Sequence, residues 1–142
     1  MVKQVIVANK SLNMSAGKLA AMVSHGSGAF MVDWIKKNIT GNPYCSGECE
    51  VHGCFSRNII QNWMNEPTKI VLEAENEEQM KDIIKKAKEQ YMVNGIDYFN
   101  IVDESTEFHD IPTWAVIAFK PMDADDIDKV TGNLSLYGYG DN

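Results

Sequence analysis

Residues 2–8 read Val-Lys-Gln-Val-Ile-Val-Ala, a β-branched, apolar run that does not alternate with polar residues. A strand of this kind is buried on both faces, so a sheet covered by helices above and below is the fold class it demands. The rest of the chain supplies those helices. After a turn over residues 9–13, Ser15 can cap a helix running to about Lys37, with Leu19, Val23, Phe30 and Trp34 near one flank. Its middle, Gly26-Ser27-Gly28-Ala29, is poor in helix propensity, so the small residues imply close backbone packing or a ligand surface.

Residues 40–55 break every period and contain Gly41, Pro43, Gly47 and Gly53, which reads as an excursion loop before a short helix at about 56–64. Lys69-Ile-Val-Leu-Glu-Ala is a second strand, and Asn76 caps a third helix with Gln79 at the capping-box position. In that helix Met80, Ile83, Ile84, Ala87 and Tyr91 fall at helical spacing, leaving Lys81, Lys85, Lys86 and Lys88 towards water, and Gly95 reads as its stop. Interleaved Glu77, Glu78, Asp82 and Glu89 make the lysine row read as a salt-bridged, solvated face rather than an RNA site. Residues 98–102 and 113–119 are the third and fourth strands. Asp123 caps a last helix that Gly132 ends. The order β-α-α-β-α-β-β-α implies a mixed four-stranded sheet with helices on both faces. At 142 residues the chain forms one domain, residues 1–142, with a Cys/His-containing insertion at about 40–60.

Apolar runs such as residues 115–119 are far shorter than the roughly 20 residues that cross a bilayer. The first residues carry no signal-peptide pattern, so a cytoplasmic location and no membrane partner are expected. The net charge of −7 argues against broad capture of nucleic acid, but it is unevenly spread. Residues 1–44 hold five lysines and one acid, whereas residues 97–142 hold ten acids and two lysines. A polyanion site is therefore expected around the first strand and first helix.

The start of the first helix, Met14-Ser-Ala-Gly-Lys-Leu-Ala-Ala-Met-Val-Ser-His25, follows directly on a strand and turn. Free N–H groups and a partial positive charge at a helix start make Gly17 and Lys18 a reasonable anion site. The glycine spacing of a nucleotide-binding phosphate loop is missing, so nucleoside triphosphate chemistry has little support. Lys18, Met22 and His25 stack on one stripe, with about 10 Å of rise between Lys18 and His25. The plain alternatives are a solvated lysine and a histidine bonded to neighbouring backbone. Three tryptophans, Trp34, Trp63 and Trp114, can stack bases or fill the core.

Cys45, Cys49, His52 and Cys54 bring three thiols and an imidazole within ten residues, the donor set of a tetrahedral zinc site. A possible structural zinc stands beside two alternatives: free reduced thiols, or one disulfide with a spare cysteine. Catalysis requires no cofactor on this reading.

Several segments, in order, resemble the type 2 peptidyl-tRNA hydrolase family: Lys3-Gln-Val-Ile-Val-Ala with Leu12, Met14, Gly17, Lys18, Ala20, Ala21, Ser24 and His25; Pro67-Thr-Lys-Ile-Val-Leu-Glu-Ala; Asp103; and Ala115-Val-Ile-Ala-Phe-Lys-Pro121 with Ile127-Asp-Lys-Val-Thr-Gly-Asn-Leu-Ser-Leu-Tyr137. The resemblance covers nearly the whole chain outside residues 40–60. It implies a three-layer α/β/α sandwich, a cytosolic homodimer, and hydrolysis of the ester that joins a peptide to the acceptor end of tRNA during translation. It implies catalytic roles for Lys18, His25 and Asp103, and substrate contacts for Gly17, Lys69, Thr106 and Thr113. The chain departs from the family pattern in three places: Met22 stands where the family has Gln, Thr106 falls one residue early, and Ala115 replaces a threonine that Thr113 lies near. An inactive RNA- or protein-binding module of the same fold is the alternative these departures leave open.

Overall fold

In the computed structural model, which describes residues 1–37, 57–104 and 112–139, the apolar opening run becomes β1 (Val2–Asn9), the axis of the sheet. On one side β1 pairs in parallel with β2 (Lys69–Ala74), in a register that sets Gln4 against Lys69 and Asn9 against Ala74. On its other side lies antiparallel β4 (Thr113–Phe119), followed by antiparallel β3 (Tyr98–Asp103), giving the order β2-β1-β4-β3. The anticipated mixed sheet is present. To its four strands the structure adds β5 (Met122–Asp123), which pairs with Val2 and Lys3. Two residues beyond a proline that cannot donate to a ladder are too short to leave a periodic signal in the sequence.

The burial of β1 explains the layering. Val5 and Val7 face one side, Ile6 and Ala8 the other, and none is more than 1% exposed. Leu19, Met22 and Val23 of α1 (Ala16–Ile35) cover the Ile6 side together with Ile101, Val116 and Ala118. Met80, Ile83 and Ala87 of α3 (Glu77–Glu89), with Ile127 and Val130 of α4 (Ala124–Thr131), cover the Val5 side against Leu72, Ile117 and Phe119. α2 (Arg57–Asn65) joins the α1 layer, where Trp63 meets Phe30 edge-on at 5.8 Å.

The small residues in the middle of α1 serve close packing. A Cβ on Gly26 would lie 2.9 Å from Ala118 Cβ and 3.2 Å from Val116 Cγ1, so the helix can cross β4 this closely only with glycine there. One residue on, Ser27 and the fully buried Gln4 satisfy each other: Gln4 Nε2 donates to the Ser27 carbonyl at 2.9 Å and the Ser27 hydroxyl donates to Gln4 Oε1 at 3.2 Å.

The expected caps form at Ser15, Asn76 and Asp123, each side chain accepting a backbone N–H of the helix it starts. Gln79 reaches back to the N–H of Glu75 at 2.7 Å, closing the box one residue earlier than its usual form. Gly95 does not stop α3. Tyr91, with φ +61°, takes the left-handed position directly after the helix, and Gly95, with φ +81°, serves the turn into β3. The salt-bridged lysine face is also corrected: Lys81, Lys85 and Lys88 form no ion pair with a described residue. Glu89 lines the same groove as these lysines but forms no ion pair with them. No helix among the described residues is long and apolar enough to cross a membrane.

Candidate active site

The carboxyl ends of the parallel strands β1 and β2 open at the same edge of the sheet as the start of α1, the end of β3 and the start of β4. Such an edge is where open α/β sheets hold ligands. Asn9 organises it: its Oδ1 accepts from the N–H and hydroxyl of Ser11, at 3.1 and 2.6 Å, and its Nδ2 donates to the Trp114 carbonyl at 3.1 Å. The chain thereby turns through a short 3₁₀ segment (Lys10–Leu12), and Asn13, in a left-handed conformation at φ +51°, directs it into α1.

Lys18 sits in the first turn of α1, its N–H accepted by the Ser15 hydroxyl at 3.3 Å. Its ammonium lies 2.8 Å from Asp103 Oδ2 at the end of β3; the lysine side chain is 33% exposed and the carboxylate 10%. Neither group has another hydrogen bond or ion pair with a described residue. The first turn of α1 contains no acid, which leaves its free N–H groups and Lys18 as a local positive end. A preorganised cation beside a carboxylate can stabilise a developing oxyanion and accept a proton from water.

The other expected site residues divide. Thr113 takes the register position opposite Asp103. Gly17 is exposed in the same helical turn as Lys18, with open space where a side chain would project. His25 is exposed on the Lys18 stripe, two turns further along α1, about 10 Å by helical rise and not at the Lys18–Asp103 contact. Lys69 does not belong to this end at all. Because β2 runs parallel to β1 and Lys69 begins it, the residue lies at the opposite end of the sheet, with its Nζ 5.7 Å from the centre of the Trp63 ring. Thr106 and the cluster Cys45, Cys49, His52 and Cys54 lie outside the described residues. Among the described residues no group of three or more His, Cys, Asp or Glu is placed to hold a metal ion.

Two features escaped the sequence reading. A bulge interrupts β4: Ile101 pairs with Val116 and Val102 with Trp114, leaving Ala115 unpaired, so Ala115 and Val116 both enter the cluster under α1. Only pairing reveals that. The second is Glu73, near the end of β2, which lies 3.8 Å from Lys10 Nζ and accepts the Gly138 N–H at 3.2 Å. It ties a segment that covers the free edge of β2 through Glu73 N–H to Ser135 and Tyr137 N–H to Val71, both at 3.0 Å. A polar residue near the carboxyl end of an apolar parallel strand was the available signal.

The family model described as Peptidyl-tRNA hydrolase PTH2 matches residues 2–137. A protein named peptidyl-tRNA hydrolase from Nanoarchaeum equitans is 34% identical over 138 residues, covering 96% of this chain and 100% of its own length. Proteins of the same name from Methanopyrus kandleri and Haloquadratum walsbyi are 30% and 31% identical, over 96% and 95% of this chain and 98% and 99% of theirs.

Proposed function

Since the chain belongs to the peptidyl-tRNA hydrolase PTH2 family, we propose that it hydrolyses peptidyl-tRNA at the Lys18–Asp103 edge of the sheet. The single observation that carries the reading is the 2.8 Å contact between Lys18 Nζ and Asp103 Oδ2, which unites a cation and a carboxylate from opposite halves of the chain.

The ester dictates the division of labour. A water hydrogen-bonded to Asp103 attacks the carbonyl carbon as the carboxylate takes its proton. The carbonyl oxygen gains negative charge, which the Lys18 ammonium and the free N–H groups of the α1 start stabilise by a few kcal/mol. Collapse of the tetrahedral intermediate breaks the bond to the ribose oxygen, and the proton held by Asp103 passes to that oxygen. The products are a peptide with a free carboxyl group and a tRNA with a free terminal hydroxyl. No covalent enzyme intermediate is needed. His25 and Thr113 border the path of the terminal nucleotide, and the substrate places the protein in translation.

The test is direct: incubate purified protein with an N-acetylaminoacyl-tRNA and follow release of the acylated amino acid, alongside Lys18→Ala and Asp103→Ala. Hydrolysis by the parent and its loss in both variants is the expected result. Absence of release by the parent, with tRNA still bound, would replace this reading with the inactive RNA-binding module.

A further inference from the structure

We propose that the groove between α3 and β3 is a second contact for the substrate, a cationic bed for the sugar-phosphate backbone of the tRNA acceptor arm. It lies on the face of β3 opposite the ester site. The proposal deepens the hydrolase reading and rests on it for the identity of the RNA.

The groove encloses about 680 Å³, with Tyr98, Asn100 and Trp114 along its floor and Lys81, Lys85 and Lys88 along its rim. Its charge sets it apart. Lys3, Lys10, Lys18, Lys37, Lys120 and Lys129 each stand within 3.8 Å of a carboxylate. The three rim lysines are exposed and have no such partner among the described residues, although the chain as a whole carries −7. Glu89 is the one acid that lines the groove. In a chain with acid to spare, an unneutralised lysine row is complementary to a polyanion.

The spacing fits phosphates. Positions 81, 85 and 88 follow one stripe of α3 and span about 10 Å of helix axis, close to the rise of about three nucleotides in one strand. The route to the ester site is short. Asn100 faces the groove and Asp103, three residues on, faces Lys18, about 10 Å apart along one strand. β3 is the last strand of the sheet and has no further strand partner among the described residues.

The test measures binding of deacylated tRNA by fluorescence anisotropy at several salt concentrations, so it does not depend on turnover. The triple variant Lys81→Gln, Lys85→Gln, Lys88→Gln is expected to bind about tenfold more weakly near 0.1 M salt, with a log–log salt slope smaller by about two to three. Its melting temperature should match the parent, since all three side chains are exposed. Arginine at the three positions should restore binding, and Lys129→Gln, which removes a charge elsewhere, should leave it unchanged. Unchanged affinity and slope in the triple variant would overturn the proposal. So would loss of binding to a polyglutamate peptide with tRNA binding intact, which would mark a protein-docking groove. If tRNA binding falls as expected but the parent hydrolyses no peptidyl-tRNA, the groove stands and the hydrolase reading fails. If hydrolysis proceeds while the triple variant binds like the parent, the reverse holds.

Discussion

Lys18 Nζ lies 2.8 Å from Asp103 Oδ2, so a lysine in the first turn of α1 is neutralised by the last residue of β3. A cation in a first turn opposes the helix dipole, at a cost of about 0.3–1 kcal/mol, and α1 has no acid of its own there to offset it. The compensating charge arrives only through the sheet. A local rule broken and then satisfied by a distant strand is what a functional constraint on the residue looks like.

If the pair acts as a unit, its two halves will not lose activity independently. Lys18→Ala and Asp103→Asn should each lower kcat/KM on peptidyl-tRNA by about 10²- to 10³-fold, and the double variant should lose little more than the worse single variant. Initial rates on the three variants decide the matter; losses that multiply would show that the groups work separately.

Two glycines of one helix should respond in opposite directions. Gly28→Ala meets nothing within 4 Å and should stabilise by up to about 1 kcal/mol through helix propensity. Gly26→Ala places its methyl 2.9 Å from Ala118 Cβ, and overpacking of about 1–3 kcal/mol should outweigh the same gain. Urea unfolding measures both, and Ala118→Gly should recover part of the Gly26→Ala loss.

Burial, and secondarily the Asp97 carboxylate beside it, raises the Tyr98 hydroxyl above its ordinary pKa of 10.0. Below pH 10 the phenol is neutral in folded and unfolded chains alike and stability is unaffected. As pH rises past 10 the unfolded chain ionises first, so stability falls until the folded phenol also titrates. Tyr98→Phe should remove this component of alkaline destabilisation, visible in urea midpoints measured on either side of pH 10.

Tyr91 occupies the left-handed position after α3 with φ +61° and a side chain 92% exposed. An L-residue there costs roughly 1 kcal/mol that glycine avoids. Tyr91→Gly should raise the melting temperature by a few degrees, and a drop would show that the ring is held by contacts outside the described residues.

The chain order alone determined the local structure: the doubly covered β1, the bounds of β2, and the caps at Ser15, Asn76 and Asp123, each of which bonds an N–H two or three residues away. The helix start singled out Lys18, and resemblance to known motifs added Asp103. Tertiary structure decided which ends meet. The resemblance implies a substrate contact for Lys69, and the parallel register of β1 and β2 puts that residue at the far edge of the sheet from Lys18 and Asp103. The bulge at Ala115 and the α3 lysines Lys81, Lys85 and Lys88, without an ion pair among the described residues, belong to the same class. Propensity, periodicity and capping act over a few residues and are written in consecutive letters; strand direction, register and charge pairing depend on which distant segments lie side by side, and only the folded chain shows that.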